Sequence, residues 1–575
     1  MKKKSKKQKP QKQPNPIEIR AELFVKRFFW LLLIVIVILG FGLRAADLRA
    51  DPPPDLSWSF APYTDESLNT YSARNFVLYG SWKMDEFLPF VIYPLVNMLV
   101  ALVFKLFGIG FVQVKLLSLL AGALGIFIIA LLVKEETGKT ATLLSALMLA
   151  TCYPLVMYSR LGLVETVQIL FLLLTGLFGV KGQKKKIHLI LCGFFAFGTV
   201  LLVKLSAVFI APVMLILFAI DFFQNKDKRN FLSRILLFLG GATIAVGIWF
   251  FLVFLPYKNE YLQYVLRHSS ESPAGHPKNL PAYLFNTFTF GLRSKLLPRM
   301  VWIAILGFLA LPWLAKKQNL ALRYSFLVFL FGLFMLGYMN YRPPRYEIIL
   351  LPSLIIAAAV SIAKNLRTGM IIPPVNPALW KAVLYGFWLW PFFLQVLLYA
   401  SNFKNYPRQG SETGILTLGF VIAFGFAFAG YGLLRLKKDG IILKSPWIRT
   451  VIVIIFLILT VRLDLGQFYN WFSNRTYNLI NYSRELDRLL PENAVVGGSW
   501  APPLMIESRK RALCITDWAN INDPINRFGI THLIIGENEA DQLLLKTLDP
   551  QIVENMTLLR QFQIRGQILR IYALP

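Results

Sequence analysis

The chain has 575 residues, of which 56% are hydrophobic and 16% charged, and 61 Lys and Arg against 31 Asp and Glu give a net charge of +30. This apolar excess excludes an ordinary soluble domain. The cations lie in short loops between apolar runs, which points away from nucleic acid and toward the positive-inside pattern of a polytopic membrane protein.

Residues 1–27 begin MKKKSKKQKPQK and read as a basic cytoplasmic tail that fixes orientation. The run FFWLLLIVIVILGF (Phe28–Phe41) reads as a retained membrane anchor rather than the core of a signal peptide. Five apolar runs, 28–46, 87–107, 112–133, 141–158 and 163–180, precede the basic loop KGQKKK (Lys181–Lys186). Four crossings put that loop in the cytoplasm and five put it outside, so one run does not cross. Phe87–Phe107, with Pro89, Pro94, Asn97 and Lys105, reads as a juxtamembrane helix on the outer face.

The basic segments QNKDKRNFLSR (Gln224–Arg234), AKKQ (Ala315–Gln318), KNLR (Lys364–Arg367) and LRLKKDG (Leu434–Gly440) then all fall inside. Further spans follow at about 187–203, 205–222, 235–256, 298–315, 323–341, 347–363, 380–400, 413–434 and 448–466, giving about thirteen helices in a transmembrane domain over 28–466. An odd number places the C-terminus outside, together with the first loop, 44–111. Residues 467–575 have soluble composition. VVGGSW (495–500), LCITDW (513–518), THLIIG (531–536) and ILRIYAL (568–574) read as strands, and 483–491 and 539–548 as helices. The fold class is thus an all-α polytopic membrane protein with a small extracytoplasmic α/β domain.

Three cysteines without CxxC spacing and four histidines without HExxH or HxH spacing indicate no disulfide framework and no zinc site. In LRHSSESPAGHPK, His268, Glu271 and His276 share an outer loop that could touch a divalent metal, but nothing in their spacing requires one.

Charges at a membrane rim are costly to place, so each is a functional candidate. Carboxylates Asp65, Glu66 and Glu165 and cations Lys115, Lys204, Arg342 and Arg345 gather at the outer ends of the spans. Carboxylates can take a proton, and cations suit a phosphate. The combination points to a lipid phosphate and a hydroxyl or amine acceptor. Each residue also has a plainer reading. Asp65 and Glu66 fit the start of a loop helix, Arg160 a snorkelling helix end, and Glu165 a helix dipole. Arg342 and Arg345 fit ordinary rim cations. Lys204, between two apolar runs, needs a phosphate, a partner or water.

The ordered set R44-x-x-D47, YTDESLNTYSARNFVLYGSW, FVIYPLVNML, KLFGIGFVQVKLLSLLAG, YSRLGLVET and RPPRYEIILLPSL, across 28–370, resembles the GT-C glycosyltransferases of the protein O-mannosyltransferase and aminoarabinose transferase type. The resemblance implies a polyprenyl-phosphate sugar donor and a glycan, lipid or protein acceptor. It matches Asp65 to the catalytic carboxylate, Glu66 to its partner, and Arg160 with Glu165 to an Arg–acid pair. Lys115 stands where many relatives carry Arg, and Tyr93-Pro94-Leu95 shortens a double-proline stretch. Lys204 and Arg345 fit phosphate-contacting positions, with Arg74, Tyr93 and Tyr346 in support. The implied chemistry is an inverting displacement in the cell membrane, with no nucleic acid involved. A transporter or lipid flippase is the alternative. It is disfavoured by the absence of matched halves and by the polar first loop.

Single cysteines introduced at positions 83 and 110 are expected to react together with a membrane-impermeant thiol reagent on intact cells. Labelling at 83 with protection at 110 would make Phe87–Phe107 a crossing and invert every later loop.

Overall fold

A computed structural model describes residues 16–224, 228–270, 276–290, 301–315, 319–368, 370–372, 378–400, 412–436, 441–442 and 445–575. Helix α1 (Pro16–Ala45) leads into a loop that is itself helical, with α2 (Ala61–Asn69), α3 (Tyr71–Tyr79) and, after a 3-10 turn at Pro89–Val91, α4 (Pro94–Phe107). The bundle continues with α5 (Phe111–Thr137), α6 (Lys139–Thr151), α7 (Tyr153–Ser159), α8 (Val164–Lys184), α9 (His188–Gly198), α10 (Ile210–Gln224) and α11 (Lys228–Trp249). Then come α12 (Lys258–Ser270), α13 (Leu280–Phe288), α14 (Val301–Ala315), α15 (Leu320–Gly337), α16 (Pro344–Glu347) and α17 (Leu351–Thr368). After α17, α18 (Leu379–Ala400), α19 (Glu412–Leu436) and α20 (Pro446–Ser473) complete the bundle, and β1 (Met370–Ile372) pairs antiparallel with β2 (Ile441–Ile442).

All thirteen expected spans fall on helices, whole or in part. Among the described residues nine are long and apolar enough to cross a membrane, ten if the bent pair α6–α7 counts as one. Two others, His188–Val203 and Ile303–Pro312, are shorter apolar helices, and 448–466 lies within α20. At 14 residues α4 spans only about 21 Å, short of the ~30 Å hydrocarbon core. Several boundaries differ from expectation. Helix α1 begins at Pro16, inside the stretch read as a tail, and α20 runs on to Ser473, past 466. Residues 316–318 of AKKQ and 437–440 of LRLKKDG lie outside the described residues.

α6 and α7 meet at 59°. The break is satisfied by Asp464 of α20, whose Oδ1 accepts from Tyr153 N at 3.2 Å. The buried centre runs through α5, α6, α8, α15 and α17, with Ile126, Ile129, Ala146, Leu350 and Leu354 almost wholly inaccessible. The first and last helices instead keep large apolar side chains exposed, such as Ile38 and Ile458. Outward apolar faces are what a bilayer requires of peripheral helices.

The C-terminal unit holds α21 (Asn478–Leu489), β3 (Val495–Gly497), α22 (Ala501–Leu504), β4 (Arg511–Leu513), α23 (Pro524–Phe528) and β5 (His532–Ile535). It ends with α24 (Glu539–Thr547), α25 (Pro550–Asn555), β6 (Thr557–Ile564) and β7 (Gln567–Ala573). The strand order is β4-β3-β5-β7-β6, with β3 parallel to β4 and β5 and the β6–β7 hairpin antiparallel. Alternation along β5 sends Ile534 to one core and Leu533 and Ile535 to the other. LCITDW is strand only at its first residue, and β6 was not expected. Its exposed edge pattern, TLLRQFQI, buries only Phe562 and Ile564 and so lacks a clear apolar alternation.

The first loop and the C-terminal unit share a core: Tyr63 of α2 and Phe111 of α5 pack with Leu486, Trp500 and Ile571. Polar ties surround it. Arg74 Nη2 donates to the carbonyls of Ser508 (2.6 Å) and Lys510 (2.9 Å). Tyr71 donates to Ala512 O at 2.8 Å and also bonds Asp85, and Asn520 Nδ2 reaches Asp85 Oδ1 at 3.0 Å. Asp51 accepts from Asn478 N (2.7 Å) and Leu479 N (3.1 Å), satisfying free N–H groups at the start of α21.

Arg74→Ala removes both carbonyl contacts from a buried site and is expected to weaken docking by about 1.5–3 kcal/mol. Hydrogen exchange over 508–513 should accelerate while exchange in α5 and α8 stays unchanged. Equal protection in variant and wild type would show that the ties add nothing to the shared core.

Candidate active site

Helix α2 carries the Asp-Glu pair mid-helix. Its N-cap is Phe60 and its first turn contains Pro62, so the carboxylates do not serve as the cap. Consecutive helical residues diverge by about 100°, and the two side chains take different surroundings. Glu66 is 1% exposed. Its Oε1 lies 3.7 Å from Lys115 Nζ, and its Oε2 accepts from Gly162 N at 3.3 Å. Lys115 Nζ also donates to Leu48 O at 2.9 Å. A Cβ at position 162 would stand 2.8 Å from Val114 O and 3.1 Å from Glu66 Cβ, so this approach needs glycine. Burial raises the Glu66 carboxyl, while Lys115 and the Gly162 N–H pull it down.

Asp65 turns the other way, with Oδ2 at 2.8 Å from Arg345 Nη2. Arg345 Nε lies 3.6 Å from Glu165 Oε1, and the same oxygen is 2.6 Å from Lys204 Nζ. Two carboxylates and two cations thus form one formally neutral cluster, buried except at Asp65, whose side chain is 17% exposed. Burial raises the Asp65 carboxyl against the pull of Arg345. Arg345 Nη1 and Glu165 Oε2 are buried without a hydrogen-bond partner, leaving one donor and one acceptor of the cluster unused.

Local backbone places each member. Glu165 occupies the first turn of α8, where the helix dipole favours an acid. Lys204 sits at a break: α9 widens into a π-turn at Thr199–Val203, and a tight 3-10 turn follows at Leu205–Phe209. Between them Lys204 is extended (φ −161°, ψ 125°), which lets a lysine leave an apolar helix and reach Glu165. π-turns recur at functional positions. Its ammonium lies 4.1 Å from the Tyr346 ring centre and 6.0 Å from that of Tyr93, and Arg345 lies 5.0 Å from the Tyr346 ring. Such aromatic faces stabilise cations in a dry site.

Of the expected residues, the structure brings Asp65, Glu165, Lys204, Arg345, Tyr93 and Tyr346 together, and sets Glu66 with Lys115 in a neighbouring pair. Three arginines are engaged elsewhere. Arg342 donates to Asn286 O, approaches Thr289 Oγ1 at 3.5 Å, and lies 4.0 Å from Glu347. Arg160 donates to Arg44 O (3.1 Å) and Asp47 O (2.9 Å) and stacks over Trp471. Arg74 holds the C-terminal unit. A buried guanidinium with several donors is well suited to such carbonyl clasps.

Sequence reasoning passed over three aromatic residues at the site. Tyr341 stacks edge-on with Trp58 (5.3 Å) and with Tyr346 (6.2 Å). Tyr264 of α12 has its phenol pushed up by burial and then by the Tyr346 and Asp65 charges. Tyr341 immediately precedes RPPRYE, which could have flagged it; nothing local singles out Tyr264. Among the described residues no three His, Cys, Asp or Glu side chains converge as a metal site. Glu271 and the His268 side chain lie outside the described residues, and His276 Nδ1 is 3.0 Å from Tyr338 O.

Residues 89–255 match the family model described as dolichyl-phosphate-mannose-protein mannosyltransferase. No curated protein matches the sequence. Among solved structures, ArnT from Cupriavidus metallidurans in the apo state is similar with TM-score 0.58 at 13% identity, over 95% of this chain and 98% of that one. The same protein bound to undecaprenyl phosphate is similar with TM-score 0.54 at 14% identity, over 94% and 97%. The family match is thus confined to 89–255, while nearly the whole chain shares the fold of ArnT.

Proposed function

We propose that the chain transfers a sugar from a polyprenyl-phosphate donor to a hydroxyl or amine acceptor on the extracytoplasmic side. The observation that carries this reading is the single cluster in which Arg345 bridges Asp65 and Glu165 while Lys204 closes on Glu165. It couples a candidate base to two candidate phosphate ligands. A structure with the same fold holds undecaprenyl phosphate, which supports a lipid-phosphate donor.

The donor phosphate takes hydrogen bonds from Arg345 and Lys204, using first the unpartnered Arg345 Nη1. As the phosphate draws Arg345 away, Asp65 loses its ion-pair partner and becomes a stronger base. The acceptor oxygen or nitrogen attacks the anomeric carbon and its proton passes to Asp65. The bond between that carbon and the phosphate oxygen breaks with inversion, and the two cations stabilise the leaving polyprenyl phosphate. Glu165 holds Lys204 in place. Glu66 fixes α2 to α5 through Lys115 and to the Gly162 backbone. Lys115 and Arg342 then act on the donor only through the scaffold, and Arg74 and Arg160 support the loop.

Asp65→Asn keeps size and is expected to slow transfer by about 100- to 10,000-fold, with Glu66→Gln costing less, in assays with a radiolabelled polyprenyl-phosphate sugar at matched membrane abundance. Because Asp65 must be ionised and burial raises its carboxyl, the rate should fall with decreasing pH through a midpoint above the ordinary ~3.9 of aspartate, and Asp65→Asn should lack that limb. A near wild-type rate for Asp65→Asn would sink the mechanism. Lys204→Ala and Arg345→Ala should each weaken donor use by about 1.5–3 kcal/mol. Unchanged donor dependence in both would reject them as the phosphate site.

A further inference from the structure

The segment just before α2 is fastened along its backbone. Tyr158 donates to Leu56 O at 3.2 Å. Ser59 N donates to Ser57 Oγ at 3.2 Å, and the two serine hydroxyls lie 3.0 Å apart. From the C-terminal hairpin, Arg565 donates to Ser59 O at 2.6 Å and to Ser57 O. Trp58 stands between those serines and is 51% exposed. A large ring fixed at its backbone and left open to solvent loses little freedom on meeting a ligand.

Trp58 borders the charged cluster. Its ring meets Tyr341 edge-on at 5.3 Å and 79°. Tyr341 in turn meets Tyr346 at 6.2 Å, whose ring faces Lys204 and Arg345. Burial raises the Tyr341 phenol, Arg345 pulls it down and Asp65 pushes it up, so this ring lies beside the paired charges. Exposure rises along the row. The Lys204 and Arg345 side chains are 9% exposed and that of Asp65 17%, before half-open Trp58. With the donor phosphate on the two closed cations, an acceptor reaches Asp65 from its open side. An edge-on contact covers at most one face of the indole, so Trp58 keeps an aromatic face at that opening.

The polar groups between the ring and Asp65 are hydroxyls. Ser59 and Thr64 are half-buried, and Thr64 Oγ1 lies 3.3 Å from Asp65 Oδ1. A prenyl chain laid from the indole to Asp65 would take these hydroxyls out of water without replacing that contact. An extended peptide would pair with backbone groups, yet the carbonyls of Leu56, Ser57 and Ser59 are already engaged. A pyranose ring meets both requirements. The C–H bonds of one of its faces pack on the electron-rich face of an aromatic ring, while the hydroxyls at its rim reach the polar groups.

Resting on the transferase reading above, we propose that Trp58, with Tyr341 beside it, is the platform for a pyranose ring of the acceptor. The acceptor is then a carbohydrate, whose attacking hydroxyl or amine is brought to Asp65 while Arg345 and Lys204 hold the donor.

The test uses the full-length protein in lipid nanodiscs free of sugar detergents. Saturation-transfer NMR with methyl pyranosides of glucose, galactose, mannose and N-acetylglucosamine should show saturation at the ring C–H protons of at least one of them. The signal should fall at least several-fold in Trp58→Ala and return in Trp58→Tyr, which restores an aromatic face. Signals from farnesyl phosphate and from a serine-containing peptide should be the same in wild type and Trp58→Ala. In transfer from a radiolabelled polyprenyl-phosphate sugar into a membrane extract, Trp58→Ala should raise the amount of extract needed for half-maximal rate several-fold and leave the donor requirement unchanged. A ring that only anchors its loop among lipid headgroups gives equal pyranoside signals in wild type and Trp58→Ala. That result overturns the proposal, as does the absence of signal from every pyranoside in wild type. Loss of the farnesyl phosphate signal in Trp58→Ala would make the platform a donor-chain contact, and loss of the peptide signal would make it a peptide site; either also overturns it. A wild type that binds pyranosides through Trp58 but transfers no sugar would sink the transferase reading and leave the pyranose site standing.

Discussion

Burying an uncompensated charge is costly, and the buried chain Asp65–Arg345–Glu165–Lys204 meets that cost by mutual pairing. Its members come from α2, the start of α8, the break after α9 and the rim at α16. Without Arg345, Asp65 loses its ion-pair partner, and without Glu165, Lys204 loses its own, so four distant parts of the chain are held in one geometry by the same electrostatic requirement. The pairing also explains why the local structure is irregular there. A regular helix would pass Lys204 along an apolar face, whereas a wide turn followed by a tight one releases it toward Glu165.

Much of this cluster was legible in the sequence because charge in an apolar context is conspicuous. Lys204 between two apolar runs, Glu165 opening another, and the Asp65–Glu66 pair in a polar loop all stand out for that reason. The divergence of Asp65 and Glu66 follows from helical geometry, yet it required knowing that both lie inside α2 rather than at its cap. Arg74, Arg160 and Arg342 were harder. A buried arginine that serves carbonyls and one that serves a phosphate have the same identity and similar neighbours in sequence; only the positions of Ser508, Asp47 and Asn286 in space separate them. Tyr264 was invisible for a related reason, since its helix meets the site through tertiary contact alone.

In the fold, apolar runs marked the helices well because length and hydropathy are local properties. Their ends were less well marked: α20 outruns its apolar stretch to Ser473, where contacts with the first loop take over from lipid. In the small domain the parallel strands β3 and β5 showed themselves through continuous burial. The edge strand β6, mostly exposed, is held by its partner β7 rather than by its own pattern.

The hairpin that closes the chain has a consequence for assembly. Arg565 and Gly566 form its turn with positive φ (51° and 82°), and the Arg565 guanidinium donates to Ser59 O at 2.6 Å and to Ser57 O. These partners are separated by more than 500 residues of chain. A segment that precedes most of the bundle is therefore fastened by one that follows all of it. During synthesis the helix that bears Asp65 lacks this fastening until the β6–β7 turn has left the ribosome. A chain lacking the β6–β7 turn would hold every bundle helix and still leave Ser57 and Ser59 without this clasp.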